Sequence, residues 1–327
     1  MKTPIAALRS LLCSSLFVLA AAPTLAQAQA QDWPARPVKF VVAFAPGGAN
    51  DIVTRLLAQG LTDRLKTQFV VENRPGAAGR IASTYVAREK PDGYTFFMGA
   101  PGLLVLNHFL YKDMETKPAD FAGVSLVGIL PYVLVTNNKL NVGSVAELVA
   151  AAKAKPGALN HGSTGSGPTL LQQLFKDRTG TQFQNVMYKG TTPALQELMQ
   201  GDLHFMFDLI AGNLAQIKAG TVRAIAVSSP RRSSSLPDLP TMEEAGVPNF
   251  SATNWFGIVG PAAVPRPIIE RLSKEIVAIV NEPATRARMN QLGAEPVGST
   301  PAEYDAFIRK EYATWEAVAK NAGIKPE

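Results

Sequence analysis

Cysteine is all but missing from this 327-residue chain: there is one, Cys13. Histidine is scarce too, at three, and His108, His161 and His204 stand at no metal-ligand spacing. A disulfide framework and a His/Cys metal centre are therefore excluded. Charged residues make up only 18% of the chain, 32 basic against 26 acidic. Their scatter leaves no basic stripe, which argues against nucleic acid as a partner. Beyond the first thirty residues no apolar run is long enough to span a bilayer. Catalytic signatures are missing as well. Residues 162–167 hold no Gly-x-Ser-x-Gly elbow, residues 165–170 lack the third glycine of a dinucleotide fingerprint, and there is no glycine-lysine-threonine P-loop.

What is present begins with a leader. Lys2 and Arg9 supply a positive start, residues 11–22 an apolar core, and Ala26-Gln27-Ala28 and Ala28-Gln29-Ala30 two cleavage patterns. Residues 1–30 are read as a signal peptide removed on export to a periplasm, leaving an N-terminus near Gln29 or Gln31. Ser10-Leu11-Leu12 before Cys13 is a poor lipoprotein signal, so no lipid anchor is expected. Cleavage removes the lone cysteine, which suits an exported protein with a core large enough to need no staples. About 297 residues remain, enough for two lobes. They carry 30 basic and 26 acidic residues once Lys2 and Arg9 are gone, a net of +4 that admits an anionic ligand.

The stretch 38–55, VKFVVAFAPGGANDIVTR, organises the chain. Residues 38–44 are a nearly continuous apolar run rich in β-branched side chains, the mark of a strand buried on both faces. Pro46-Gly47-Gly48 breaks it and a helix follows. Ile52, Leu56 and Gly60 form one stripe, with Val53, Leu57 and Leu61 beside it. Strand, glycine turn and helix together aim free N–H groups and a positive helix end at one spot. The same device recurs at residues 160–169 (NHGSTGSGPT), with Pro168 read as a first helical position. It recurs again at residues 186–193, with Thr192 as N-cap and Pro193 as first helical residue.

Between these lie strands at residues 69–72 and 94–99 and a helix at residues 80–90. This βαβαβ order demands a parallel sheet, with ligands beyond the carboxyl ends of the strands. A strand at residues 124–130, broken by Pro131, resumes at residues 132–136, and the first crossing between lobes is placed here. Ser144 and Glu147 form a capping-box pattern for a helix over residues 144–155. Phe205-Met206-Phe207 is a strand ending on Asp208, residues 222–227 another, and residues 254–259 a strand returning to the first lobe. Helices follow at residues 267–281, 283–292 and 301–321. The aromatic spacing of the last one, with Tyr304, Phe307, Tyr312 and Trp315, reads as packing.

These segments together resemble the periplasmic substrate-binding proteins of tripartite tricarboxylate transporters, the Bug-type receptors. The resemblance is carried by WPARPVKFVVAFAPGGANDIVTRLLAQGL, VVENRPGAAG, PDGYTFFMG, HGSTGSGPTLL, YKGTTPALQELMQGDLHFMFD, LPDLPTMEEAGVPNF and the WFGIVGPAAVP segment through LGAEP to AGIKPE. It implies a two-lobe α/β periplasmic-binding-protein fold of the second topological type. Each lobe would hold a central, mainly parallel sheet flanked by helices, with two crossover strands near Pro131 and Asn254 as the hinge. The lobes would comprise residues 31–130 plus 255–327, and residues 131–254. Members bind small organic acids or related polar molecules in the cleft and present them to membrane permease subunits. They are not known as enzymes, so no cofactor or metal is expected, and a monomer is.

The resemblance carries the first binding loop onto Ala45, Pro46, Gly47, Gly48, Ala49, Asn50 and Asp51. It carries the second onto Ser163, Thr164, Gly165, Ser166 and Gly167, and an aspartate onto Asp208. Two positions depart from the pattern: Arg80, where a small or amide residue is expected, and Leu209, where asparagine is frequent. Gly47 and Gly48 can offer N–H groups to a carboxylate. Asp51 reads either as a first-turn acid complementing the helix dipole or as a ligand contact. Thr164 and Ser166 can donate hydroxyl hydrogens, with Ser166 also able to cap a helix. Asp208 is a ligand acceptor or a loop cap. Arg80, expected to face the cleft beside Gly47 and Gly48, either holds a second carboxylate with its planar fork, or reaches solvent or pairs with Glu72 or Asp51. Two other functions stay open at this point: a ligand-sensing co-receptor for a two-component sensor, and an exported enzyme on the same fold.

Overall fold

A computed structural model of the chain describes residues 33–188 and 190–326. The expected signal peptide and cleavage sites, Cys13 and Lys189 lie outside the described residues.

The first strand, β1 (Val38–Val42), pairs in parallel with β2 (Phe69–Asn73) on one side and β3 (Thr95–Gly99) on the other. Val38, Phe40, Val41 and Val42 are wholly buried, as the continuous apolar run requires. Helix α1 (Ala49–Leu65) connects β1 to β2 and buries Val53, Leu57 and Leu61. Ile52, Leu56 and Gly60 sit at the edge of that buried face. Gly60 is explained by a close approach: a Cβ there would stand 2.9 Å from Ile279 on helix α8 (Arg266–Val280). Helix α2 (Arg80–Ala87) connects β2 to β3, and a π-helical turn at Gly102–Leu106 runs from β3 into the short α3 (Asn107–Leu110).

Strand β4 (Phe121–Asn137) is seventeen residues long and passes straight through Pro131. The break expected at that proline does not occur. Its partners change there instead. As far as Pro131, opposite Thr253, β4 pairs antiparallel with β9 (Thr253–Pro261). From Tyr132, opposite Leu209, and Val133, opposite Val227, it pairs antiparallel with β7 (Phe205–Leu209) and β8 (Val222–Val227). A proline lacking its N–H is tolerated where one ladder gives way to the next. The first sheet thus reads β2-β1-β3-β9-β4-β10, with β10 at Glu295–Pro296. The second reads β8-β4-β7-β5-β6, with β5 at Asn160–Ser163 and β6 at Gln184–Met187. Strand β9 runs against its neighbours β3 and β4, so β1 to β4 share one direction. In the second sheet β5 and β6 follow β7, and only β4 is opposed. This is the two-lobe α/β architecture of mainly parallel sheets.

Helices α4 (Val145–Ala154), α5 (Ser166–Thr179), α6 (Thr191–Gln200) and α7 (Ile210–Lys218) flank the second sheet. Helix α9 (Pro283–Gln291) follows α8, and α10 (Pro301–Asn321) closes the chain with a complete Thr300/Glu303 capping box. Its Tyr304, Ile308, Trp315 and Val318 are buried, so those aromatics are packing. Three helix starts differ from expectation. Ser144 accepts the Glu147 N–H at 3.2 Å, but the Glu147 carboxylate reaches back to Gly143 rather than to Ser144. Helix α5 begins at Ser166 with Gly165 as N-cap, so Pro168 is third rather than first, and α6 begins at Thr191 with Gly190 as N-cap. Glycine takes the cap at Gly190 because φ is +107° there, a conformation costly for threonine. Among the described residues no helix is long and apolar enough to cross a membrane.

Candidate functional site

The registers turn the carboxyl ends of the two sheets toward one another along β4, those of β1 and β3 level with Ser125 and Leu126 and that of β7 opposite Tyr132. Strands β1, β2 and β3 run with β4 toward Pro131, and β5, β6 and β7 run against it toward Tyr132. The connections after six strands therefore face one another from either side of the Pro131–Tyr132 step, at the carboxyl ends of the strands, which is where open α/β sheets hold ligands.

The first connection, residues 43–48, is held from below. Asp51, only 3% exposed, accepts the Gly47 N–H at 3.0 Å, the Asn73 amide at 2.9 Å and the Arg55 Nε at 3.1 Å. Asn73 also donates to the Phe44 carbonyl and accepts from Arg55. Burial alone would raise the Asp51 pKa, but the bonds from Arg55, Gly47 and Asn73 outweigh it and hold the carboxyl below its ordinary value. Ala45, Gly47 and Gly48 are left exposed and Ala49 half-buried. The N–H groups of Gly48 and of the first turn of α1 point out of the helix end without intrahelical partners. A Cβ on Gly48 would meet nothing within 4 Å.

The second connection turns through three left-handed residues, Ala77 (φ +47°), Ala78 (φ +53°) and Gly79 (φ +88°). Asn107 donates to the Ala78 carbonyl at 3.0 Å. A Cβ on Gly79 would stand 2.0 Å from the Leu103 Cδ2, so that side chain would have to move. Arg80 does not join the Gly47–Gly48 loop. Its guanidinium pairs with Asp113, bonds the Ala77 carbonyl at 3.0 Å and lies 4.8 Å from the Tyr111 ring centroid. Neither Glu72 nor Asp51 is its partner: Glu72 belongs to Lys39 and Arg74. Replacing Arg80 by asparagine is therefore expected to change monocarboxylate and dicarboxylate affinities alike, each by no more than about twofold, as for a surface ion pair. Calorimetric titration of both classes checks this, and a loss confined to dicarboxylates would return Arg80 to the cleft.

In the second sheet Ser163 is turned inward, donating to Asn185 Oδ1 at 2.7 Å. Thr164 donates to Asp208 Oδ1 at 3.2 Å, and Asn213 donates to Asp208 Oδ2 at 3.1 Å. Asp208 is buried, so it acts here as the post that ties the second loop to α7. Gly165, Ser166 and Gly167 remain half-exposed at the start of α5. The N-terminal turns of α6 and α7 abut, because a Cβ on Gly212 would lie 3.0 Å from Thr191.

The sites named from the sequence thus divide. Ala45, Gly47, Gly48, Ala49, Gly165, Ser166 and Gly167 line the two facing ends, while Asp51, Ser163, Thr164 and Asp208 stand behind them as supports. Sequence reasoning missed Asn73, Arg55 and Asn213. Asn213 answers the departure at Leu209, since its side chain also reaches the Leu209 carbonyl at 3.0 Å; the i, i+4 spacing was the available signal. Among the described residues no His/Cys/Asp/Glu cluster could hold a metal.

Known proteins resemble this chain along most of its length. The sequence profile of the tripartite tricarboxylate transporter family receptor matches residues 53–324. The protein BugT of Bordetella pertussis is 37% identical over 317 residues, covering 94% of this chain and 95% of BugT. Among solved structures, an R. palustris protein determined with adipate is 37% identical, covers 90% of this chain and 100% of its own, and superposes with a TM-score of 0.76. MatC of Rhodopseudomonas palustris, with bound malate, is 29% identical, with coverages of 88% and 100% and a TM-score of 0.71. By profile, by relatives and by fold, the chain belongs to the receptor family of the tripartite tricarboxylate transporters.

Proposed function

We propose that this chain is a non-catalytic periplasmic solute receptor. It binds a small organic carboxylate between its lobes and delivers it to the membrane permease subunits of a tripartite transporter. The lobes are residues 31–130 plus 255–327 and residues 131–254, hinged where β4 and β9 cross, and the receptor works as a monomer exported by its signal peptide. The observation that carries this reading is that six strand-to-helix connections, from two sheets, face one another from either side of the Pro131–Tyr132 step. The adipate and malate bound by two relatives support the ligand class.

A micromolar affinity needs about 8 kcal/mol. Helix ends at about 0.3–1 kcal/mol each cannot supply it alone. Several hydrogen bonds to the carboxylate, at about 1.5–3 kcal/mol each, must converge from both lobes as they close. The first loop offers the N–H groups of Gly48 and Ala49, and the second those of Ser166 and Gly167. Titration calorimetry with adipate and malate tests the reading, and heat-silent mixing with both and with other small acids would end it. Gly48→Val puts a branched side chain on the exposed loop at an ordinary φ of −76°, so the free protein keeps its thermal midpoint. Affinity is expected to fall at least tenfold, about 1.4 kcal/mol; an unchanged affinity removes the first loop from the site.

A further inference from the structure

We propose that the Tyr132 hydroxyl is a ligand-binding donor at the floor of the cleft, reaching an oxygen of the bound acid at the first turn of α5. This rests on the reading of the cleft as a carboxylate site and adds to it a side chain from the hinge itself.

Tyr132 is the first residue of β4 past the point where the strand changes sheets. Its main chain is fixed on both sides by Ser228, whose Oγ accepts the Tyr132 N–H at 3.2 Å and whose N–H donates to the Tyr132 carbonyl at 2.9 Å. The residue is 6% exposed and belongs to the apolar cluster that joins the two sheets through Trp255, Leu170 and Phe207. Its position is therefore set by the core.

The hydroxyl ends against the second binding loop. A Cβ built on Gly167 would stand 2.2 Å from Tyr132 Oη, so glycine there is what leaves room for it. Among the described residues no acceptor takes its hydrogen, whereas Tyr188 donates to Glu197 and the indoles of Trp255 and Trp315 donate to Glu311. Buried phenols ordinarily find a partner. The nearby Asp208 already receives Thr164 and Asn213. What the geometry offers is a rigid O–H beside the free N–H groups of a helix start, and an anionic oxygen satisfies both. Burial, with the charges of Asp208 and Glu311, pushes the phenol well above its ordinary value. At neutral pH it therefore stays a donor.

The test is titration calorimetry of the wild type and of Tyr132→Phe with adipate and with malate, beside thermal midpoints of the ligand-free proteins. Tyr132→Phe removes one oxygen that bonds nothing in the free protein, so its midpoint should match the wild type. Its affinity for whichever acid the wild type binds should fall about tenfold. Gly167→Ala, whose methyl group would occupy the place of the hydroxyl, should reproduce the loss. Affinities within twofold of wild type for Tyr132→Phe overturn this inference and leave the receptor reading standing. A lowered midpoint with unchanged affinity also overturns it, since that is the mark of a purely structural phenol. A wild type that binds neither these two acids nor any other small acid overturns both.

Discussion

Acidifying the protein from about pH 6 to about pH 3 is expected to remove about 4 kcal/mol of stability through His161 alone, at about 1.4 kcal/mol per pH unit. His161 is fully buried in β5. Its ring lies among Phe183, Phe205 and Phe207, with centroids 5.8, 5.1 and 5.9 Å away. The Phe207 N–H donates to Nε2 at 3.3 Å, which leaves Nδ1 to carry the hydrogen toward Asn185 Oδ1 at 3.2 Å. A proton added to Nε2 would meet another donor. Burial lowers the His161 pKa to about 3, against a smaller upward pull from Asn185 and with a further downward push from Lys176. The unfolded chain takes up a proton near the ordinary value of 6.5 and the native state does not, so stability falls as pH drops through that window. Denaturant unfolding at a series of pH values, for the wild type and His161→Gln, isolates the effect from the carboxylates. The variant should show a shallower acid slope; parallel slopes would mean that the ring titrates in the native state. Because β5 leads directly into the second binding loop, ligand affinity should decay over the same range.

The fold was legible because its strands are apolar on both faces and its turns are marked by glycine and proline. The order of strands and helices, the crossing near residue 131 and the packing role of the Tyr304 and Trp315 face all follow from period and composition. Pro131 misled as a break because a sequence cannot show that a strand is changing partners at that point. The helix starts at Gly165 and Gly190 were missed in favour of Thr192 and Pro168. Side-chain capping preference pointed to the hydroxyl and the ring; at Gly190 a left-handed φ of +107° decided for glycine, whereas Gly165 is extended and caps without a side-chain bond. The candidate site was legible as loops and not as contacts. Nothing in the spacing says that Asn73 joins Asp51 and Arg55 beneath the loop that Asp51 holds at Gly47. Nothing local to Arg80 says that Asp113, thirty-three residues on, will claim it. Long-range polar pairing is set by the sheet registers, which place β2 beside β1 and Asn73 opposite Val42.

Asp51→Ala is expected to cost about 3 kcal/mol of stability and to weaken ligand binding as a consequence. The sequence left Asp51 between two roles, a helix-end acid and a ligand contact, and its hydrogen bonds favour a third. Its carboxylate pins the first loop to β2 through Gly47 and Asn73. Arg55 is half-exposed, so its ion pair adds little. The main loss comes from two hydrogen bonds to a buried carboxylate at about 1.5–3 kcal/mol each, with the Gly47 N–H and the Asn73 amide left unpaired. The Asn73 hold on the Phe44 carbonyl loosens with them. The lowered pKa fixes the pH dependence. This stabilisation is complete above the ordinary carboxyl value and fades as pH falls through the depressed one, so at neutral pH the whole loss is visible. Asp51→Asn keeps the shape and one acceptor for Gly47 but presents its own amide to Asn73, and should fall between the wild type and the alanine variant. Chemical denaturation and titration calorimetry on the same preparations decide the role. A scaffold loses stability and affinity together, in the order wild type, asparagine, alanine. Abolished binding at unchanged stability would make Asp51 a direct contact to the ligand.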